Sequence, residues 1–307
     1  MATLPSRHDE TAWTWDPIVP PAPSTIDLHA HTRRSDGVLE PAELVRQAFA
    51  AGIRLLAITD HDSLAAYREL AAVENVPDGL TLIPGIEINA VADRRDGLWE
   101  GELHVLGFGM DSADEAFEAT LQVQRNQRRL RFERILAKLR DLNMPVDDAI
   151  EVLAMGEDDA IGRPTIARAL IAKGHATTVE DAFRRWLGHG MPAWAARDGL
   201  GPRAAIVAIR AAGGLPVLAH FLDARAKIQL IRELKELGLG GLEVHYRGWN
   251  AARIASISAV ARELGLIATG GSDYHGDLGP YADSYQYLWV PPEVGEALSA
   301  ALTIPRR

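Results

Sequence analysis

The chain has 307 residues, of which 47% are hydrophobic, 24% are charged and none is cysteine. This composition is typical of a soluble globular protein, and the length suffices to bury a sizeable core without disulfides. The formal net charge of −10 argues against general binding to duplex nucleic acid or to an anionic membrane, since both need a positive surface field. Without thiolates, any bound metal must be held by histidine and carboxylate groups.

The first 23 residues are predicted to form an N-terminal extension. Four prolines between Pro17 and Pro23 favour an extended segment over a helix or a central strand. Neither this segment nor the rest of the chain has an apolar run of signal-peptide or membrane-spanning length, so we expect a cytoplasmic protein that does not bind membranes. Folding is expected to begin near Ser24.

From Thr25 onward, short apolar runs alternate with stretches of helical periodicity, which is the pattern of parallel βα units. The first helix is expected to begin at Pro41 and to end at Gly52, and Ser63 is predicted as the N-cap of the second. Later helices are predicted over 223–237 and 249–264. The predicted strands are TIDLHAHT (25–32), IRLLAITD (53–60), TLIPGIEI (81–88), ELHVLGFGM (102–110), GLPVLAH (214–220), GLEVHY (241–246) and LIATGGSD (266–273).

Between residues 113 and 198 the periodicity is almost wholly helical, with a long helix over 112–142 and shorter ones near 164–173 and 179–188. We interpret 111–199 as a helical subdomain inserted into one α/β domain, which consists of 24–110 and 200–307.

The long helix carries six arginines and one lysine between Arg125 and Arg140. Such a run usually forms a solvated face, and an apolar side would then be buried opposite it. The apolar side would consist of Leu130, Ile135, Leu139 and Leu142. The alternative is a track for the phosphates of an oligonucleotide.

Nine side chains of the types that bind metals fall at or near the predicted C-terminal ends of strands, where (β/α) barrels assemble their active sites. His29 and His31 are two residues apart on a strand and therefore point to one face, and Asp273 with His275 repeats this spacing. A single strand histidine is more often a core residue, but the coincidence of nine favours one metal centre with more than one ion. The nine are His29, His31, Asp36, His61, Glu87, His104, His220, Asp273 and His275.

The donor types favour Mn, Fe or Zn over an all-oxygen Mg or Ca site. Asp60 is predicted to orient ligands or their loop as a hydrogen-bond acceptor rather than to bind metal itself. His245 is predicted to be a hydrogen-bonded residue at a strand end and not a ligand.

Seven motifs together resemble those of the PHP (polymerase and histidinol phosphatase) family, most closely its stand-alone nucleotide phosphatases and short-RNA 5′-exonucleases. The motifs are DLHAHTRRSDG (27–37), AITDHDS (57–63), PGIEI (84–88), ELHVLGF (102–108), LAH (218–220), GLEV (241–244) and GSDYHG (271–276). The resemblance implies a distorted (β/α)₇ TIM-like barrel with a trinuclear metal centre.

The resemblance also implies how three divalent ions would be shared among the ligands. The first would be held by His29, His31, Glu87 and Asp273. Glu87 would bridge to a second ion, held by His104 and His220. The third would be held by Asp36, His61 and His275.

These features predict a metal-dependent phosphoesterase that hydrolyses a phosphate ester of a nucleotide by attack of a metal-bridging hydroxide. The resemblance favours a nucleoside 3′,5′-bisphosphate or a similar small nucleotide as substrate. Arg163, in IGRPTIA, is expected to bind the substrate phosphate, as the equivalent arginine does in relatives. His189 stands where many relatives have lysine and is a second substrate-binding candidate, while Thr165 replaces a histidine.

Three alternatives remain open at this point. The first is a 5′-to-3′ exonuclease that acts on short RNA, and the second is a histidinol phosphatase, which the helical insertion disfavours. The third is a non-catalytic metal-binding or polymerase-associated module. The complete ligand set and the absence of a polymerase domain from this sequence argue against the third.

Overall fold

The computed structural model describes residues 22–73, 76–91, 102–151, 156, 159–276 and 279–302. The predicted N-terminal extension therefore lies outside the described residues except for its last two positions. Within the described ranges, no helix combines the length and the apolar character that crossing a membrane requires.

Seven strands form one sheet whose spatial order follows the chain order. They are β1 (Ile26–Asp27), β2 (Leu55–Ile58), β3 (Thr81–Val91), β4 (Glu102–Phe108), β5 (Leu215–Leu218), β6 (Gly241–Tyr246) and β7 (Ile267–Gly271). The first and last strands meet, because the Leu28 amide donates to the Gly270 carbonyl at 3.1 Å and Ala30 bridges to Tyr274. The sheet is thus a nearly closed barrel, and the prediction of a distorted TIM-like barrel is confirmed.

One strand runs against the others. β4 is antiparallel to both β3 and β5, whereas every other neighbouring pair is parallel. The expectation of uniformly parallel βα units is therefore wrong at β4. Only residues 92–101 separate β3 from β4, and a parallel crossover needs about a dozen residues or more. The N-terminal end of β4 consequently lies at the rim where the other strands have their C-terminal ends.

Helices follow most of the strands, and a group of them lies between β4 and β5. They are α1 (Pro41–Ala51), α2 (Ala65–Ala72), α3 (Glu115–Asp141), α4 (Asp147–Glu151), α5 (Arg163–Ala172), α6 (Val179–Ala182), a π-helical turn (Phe183–Leu187), α7 (Pro202–Ala211), α8 (Ile228–Glu236), α9 (Ala251–Leu264), α10 (Tyr281–Tyr285) and α11 (Pro292–Leu302).

Several helix ends follow directly from local sequence. α1 begins at Pro41 and stops at Gly52, whose φ of 109° suits glycine, as predicted. The N-cap of α2 is Leu64 and not Ser63, although the Ser63 hydroxyl accepts a hydrogen bond from the Ala65 amide at 3.1 Å. The helices predicted to begin at Asp223 and Trp249 begin later, at Ile228 (α8) and at Ala251 (α9).

The helices between β4 and β5 bury a hydrophobic cluster of their own, drawn from residues 132–195. The first half of α3 packs elsewhere, since Phe117 and Leu121 belong to a barrel cluster. α3 therefore connects the two cores. The division into a barrel and a helical subdomain over 111–199 stays a prediction, which the separate cluster supports.

The basic stretch of α3 differs from its expected arrangement. Arg125, Arg128 and Arg131 are buried, whereas Leu130 is 50% and Leu142 is 38% exposed. Residues three apart share a helix face, so this spacing turns the three arginines together towards the barrel. Carboxylates compensate their charge: Arg128 pairs with Asp62 and Arg131 with Glu102, both in the barrel, while Arg125 pairs with Glu118 on α3 itself. The prediction of a solvated basic face is wrong for these three residues.

Two leucines of α3 provide a test of this arrangement. Leu139 is fully buried, so Leu139→Ala is expected to lower the free energy of unfolding by about 2–5 kcal/mol. Leu130→Ala, the matched control, should change it by less than about 0.5 kcal/mol because Leu130 is exposed. Denaturant titration monitored by circular dichroism measures both. Equal losses would contradict the orientation of α3 described above.

Candidate metal centre

The nine side chains predicted as metal ligands meet at one rim of the barrel. Eight of them form three groups in which one nitrogen or oxygen atom from each residue lies within 4.8 Å of the others. The groups are His29, His31, Glu87 and Asp273; His61, Glu87 and His104; and His31, Asp36, His61 and His275. The ninth, His220, approaches the second group, with its Nε2 3.3 Å from Glu87 Oε1.

Glu87 is the common point of this centre. Five imidazoles from different parts of the chain approach its carboxylate, which is buried at 1% exposure. The nitrogen-to-oxygen distances are 3.4 Å for His29, 3.2 Å for His31, 3.1 Å for His61, 2.7 Å for His104 and 3.3 Å for His220. Four separate parts of the chain supply these histidines, and only His29 and His31 come from the same one.

Strand direction explains most of these placements. His29 and His31 follow β1, His61 follows β2, and His220 follows β5. His104 was expected near a C-terminal strand end, but it is the third residue of β4. It reaches the same rim only because β4 runs antiparallel.

The backbone is unusual at this rim. Among the described residues, four other than glycine have positive φ, and three of them lie here: Asp62 at 48°, His220 at 31° and Asp273 at 48°. Such conformations cost about 1–3 kcal/mol each and persist where the surroundings enforce them. The barrel therefore holds these three residues in a strained geometry next to the cluster.

Burial and charge act in opposite directions on the side chains of the centre. Burial alone would raise the pKa of Glu87, but the imidazoles of His104, His61 and His29 hold it well below its ordinary value. At His61 burial dominates and lowers the pKa to about 3. Burial also lowers the pKa of His275, but two neighbouring carboxylates raise it to about 10. The centre therefore keeps its carboxylates ionised, as metal ligation requires.

The donor geometry fits divalent metal ions. His29 Nε2, His31 Nε2 and His61 Nδ1 are buried, and none of them makes a hydrogen bond, although each faces a carboxylate oxygen at 3.1–3.4 Å. Lone pairs that converge in this way, with nitrogen and oxygen donors only, suit Mn, Fe or Zn.

Two side chains that sequence reasoning gave no role support the cluster from behind. Glu243 is buried in β6, and its carboxylate lies 2.9 Å from His29 Nδ1 and accepts from the His220 backbone amide at 2.8 Å. The Tyr246 hydroxyl donates to Asp273 Oδ2 at 2.8 Å. Such contacts orient ligating groups and fix the tautomer of a ligating imidazole. The signals for Glu243 in the sequence are a carboxylate in the middle of an apolar strand and its place in the motif GLEV (241–244).

Asp60 and His245 were assigned supporting and structural roles. Asp60 accepts hydrogen bonds from the Thr32 amide at 2.7 Å and from the Ser35 hydroxyl at 2.6 Å, so it holds the loop that carries Asp36. His245 was expected to be hydrogen-bonded, but its Nδ1 is buried without a hydrogen-bond partner. Burial lowers the pKa of His245 to about 4.

A cavity of about 290 Å³ opens next to the cluster. Its metal-ligating wall consists of predicted ligands, such as Asp36, Glu87 and Asp273. Apolar groups from the helical segment also line the cavity, and its cationic wall consists of four arginines. These arginines are Arg128, Arg131, Arg163 and Arg197. The cavity therefore combines a metal-ligating wall with a cationic wall, which is the chemistry that a phosphate group needs.

The two predicted substrate-binding residues lie in different places. Arg163 begins α5 and lines the cavity, where its guanidinium donates to Glu102 at 3.1 Å and lies over the Phe183 ring at 5.2 Å. His189 is exposed, is not among the residues that line the cavity, and packs against Trp194 with ring centroids 4.7 Å apart. The structure thus brings Arg163 to the cavity and leaves His189 outside it.

Comparison with known proteins is consistent with this geometry. A family model described as the PHP domain matches residues 27–178. A protein of Haemophilus influenzae named 5′-3′ exoribonuclease is 34% identical over 81% of this chain and 89% of its own length. A 3′,5′-nucleoside bisphosphate phosphatase of Chromobacterium violaceum is 30% identical over 82% of this chain and 87% of its own.

Solved structures agree in fold. A protein of Bifidobacterium adolescentis described as a metal-dependent phosphoesterase superposes with a TM-score of 0.79 at 30% identity, covering 92% of this chain and 97% of that one. A Chromobacterium violaceum protein described as an amidohydrolase, with bound sulfate and no metal, gives a TM-score of 0.78 at 27% identity, covering 91% and 97%. The resemblance stated from the motifs is thereby confirmed, and the chain belongs to the PHP-domain family.

Proposed function

We propose that this protein is a metal-dependent phosphoesterase that hydrolyses a phosphate ester of a small nucleotide, with a nucleoside 3′,5′-bisphosphate as the leading substrate. The observation that carries this proposal is the cavity that joins the histidine and carboxylate cluster to a wall of arginines. The relative named as a 3′,5′-nucleoside bisphosphate phosphatase supports the substrate class.

The ligand assignment that we propose uses all nine side chains and three divalent ions of Mn, Fe or Zn. His29, His31, Glu87 and Asp273 would hold one ion, as would the set Asp36, His61 and His275. Glu87 would also take part in the remaining site, together with His104 and His220. Bound there, such ions supply Lewis acidity, an activated water and charge neutralisation for the phosphate oxygens.

The residues of the chain have separate tasks in this reaction. The Glu243 carboxylate holds the His29 ring through Nδ1 of the imidazole, so that His29 Nε2 faces the cluster. Tyr246 orients Asp273 through its hydroxyl. Arg163 would bind phosphate oxygens through its planar fork, which offers two donors at once. For this it must give up part of its ion pair with Glu102.

A second candidate function is 5′-to-3′ hydrolysis of short RNA. On α3, Arg129 is half-buried and Arg134 is exposed; both are close in sequence to Arg128 and Arg131 of the cavity, and an oligonucleotide could extend along them. The relative named as an exoribonuclease also points to this activity. A single small nucleotide needs no such track, so the bisphosphate remains the leading substrate. In either case we propose a cytoplasmic protein that binds neither membranes nor duplex nucleic acid in general.

The ligand assignment can be tested by metal analysis. His275→Ala, Asp273→Ala and His31→Ala are expected to lower the metal content and to reduce phosphate release from nucleotides in Mn²⁺ by several orders of magnitude. His175→Ala is the matched control, since His175 lies between α5 and α6, belongs to none of the three ligand groups and does not line the cavity. Inductively coupled plasma mass spectrometry measures the metal. Fewer than one ion per chain in the wild type would refute the assignment of three ions.

Arg163 can be tested separately from the metal. Arg163→Ala is expected to lower kcat/KM by about 10²–10³, because a charge-stabilising donor to the phosphate is lost. The metal content should not change. Arg184→Ala serves as control, since Arg184 is 67% exposed and pairs only with Asp181 among the ion pairs described. An unchanged rate in Arg163→Ala would show that Arg163 is only the structural partner of Glu102.

The two candidate substrates can be compared directly. We expect a higher kcat/KM on adenosine 3′,5′-bisphosphate than on 5′-phosphorylated trinucleotides, measured by phosphate release and by chromatography of the products. Replacement of Arg129 and Arg134 by glutamine should leave the bisphosphate rate unchanged. A higher kcat/KM on the trinucleotide, lost in that double variant, would favour the exonuclease.

A further inference from the structure

We propose that Arg128 and Arg197 form a binding site for a second phosphate group of the substrate, one that is not cleaved. This inference rests on the proposed phosphoesterase function and narrows it, because it assigns part of the cavity to recognition of nucleotides that carry two phosphates. The reacting phosphate is the one served by the metal ligands and Arg163.

The first observation is a pair of unused hydrogen-bond donors. Arg128 Nη2 and Arg197 Nε are buried without a hydrogen-bond partner. Both residues line the cavity, and they are only 7% and 6% exposed. An unsatisfied buried guanidinium N–H is unfavourable, and a phosphate oxygen is the acceptor that suits it best. Two residues that line the cavity thus carry charged donors with no acceptor within the described part of the chain.

The second observation is that both side chains are held in place from behind. Asp62 Oδ2 accepts from Arg128 Nε at 2.6 Å and from Arg197 Nη1 at 3.2 Å. Arg197 Nη2 also donates to the Asn89 carbonyl. Asp62 itself is fully buried and does not line the cavity. The guanidinium groups are therefore fixed before any ligand arrives, which reduces the entropy lost on binding.

The third observation is the space between this pair and the metal centre. Gly162, the residue before Arg163, stands there without a side chain. A Cβ at this position would lie 3.4 Å from Asp36 Oδ2 and 3.6 Å from Arg128 Nη1. Glycine therefore places no side chain between the predicted metal ligand Asp36 and Arg128. Arg128 thus borders the metal centre, so a second phosphate bound there would lie next to the reacting one.

Charge supports the same assignment. Four arginines line the cavity, and Asp62 and Glu102 are the carboxylates described as ion-paired with them. Arg131 and Arg163 share Glu102, while Arg128 and Arg197 share Asp62. Each pair thus retains one positive charge within the described part of the chain. Two separate positive pairs match two phosphate groups better than one.

The test uses lysine variants, which keep the positive charge opposite Asp62 but lose the guanidinium fork. Arg128→Lys and Arg197→Lys are expected to raise KM for adenosine 3′,5′-bisphosphate by about tenfold or more, since a hydrogen bond to a charged group is lost. The kcat for the bisphosphate, and both KM and kcat for the adenosine 3′- or 5′-monophosphate that the wild type hydrolyses, should change by less than about twofold. Arg140→Lys, an exposed position on α3, is the matched control. Thermal denaturation checks that each variant is folded.

Two kinetic outcomes would overturn the proposal. An unchanged KM for the bisphosphate would mean that the pair only supports Asp62 and the fold. Equal losses on the bisphosphate and the monophosphates would mean that the pair serves the reacting phosphate. If the wild type hydrolyses none of these nucleotides, the proposed function fails, but calorimetry of bisphosphate binding to the same protein still decides the inference. Weaker binding by Arg197→Lys than by the wild type would support it, and equal binding would refute it.

Discussion

The convergence of five imidazoles on the carboxylate of Glu87 is the contact on which the rest of the site depends. Glu87 lies within β3, and the histidines come from β4 and from the segments that follow β1, β2 and β5. A buried carboxylate without partners would be strongly unfavourable. The imidazoles around Glu87 hold its pKa well below the ordinary value and keep nitrogen and oxygen donors directed at common points. The barrel supplies the positions from which they converge.

The antiparallel β4 is the feature of the fold that completes this cluster. In a wholly parallel barrel, the third residue of a strand would lie at the opposite rim from the active site. Reversal of β4 brings His104 and Glu102 to the same rim as the strand ends. Glu102 then meets Arg131 and Arg163 from the helical segment. One reversed strand thus supplies the predicted ligand His104 and, in Glu102, the carboxylate that pairs with two arginines of the cavity.

The burial of arginines on α3 follows from charge compensation across two parts of the chain. Sequence reasoning assigned the basic face to solvent, because a run of arginines on an isolated helix is best hydrated. The barrel offers Asp62 and Glu102 opposite that face, and these carboxylates make burial of Arg128 and Arg131 tolerable. Leu130 is left exposed as a consequence of the same rotation. An acidic chain can thereby line a pocket for an anionic substrate with positive charge.

The sequence by itself indicated the strand positions and the nine candidate ligands, because buried strands have a local apolar pattern and histidine pairs such as His29 and His31 have a spacing of two. The resemblance of its motifs to the PHP family indicated the barrel. It also indicated Arg163 through its motif. The tertiary structure decided the direction of β4, the roles of Glu243 and Tyr246, and which face of α3 is buried. These features depend on contacts between residues far apart in the chain. Local periodicity carries no information about which distant carboxylate will meet a given arginine or imidazole.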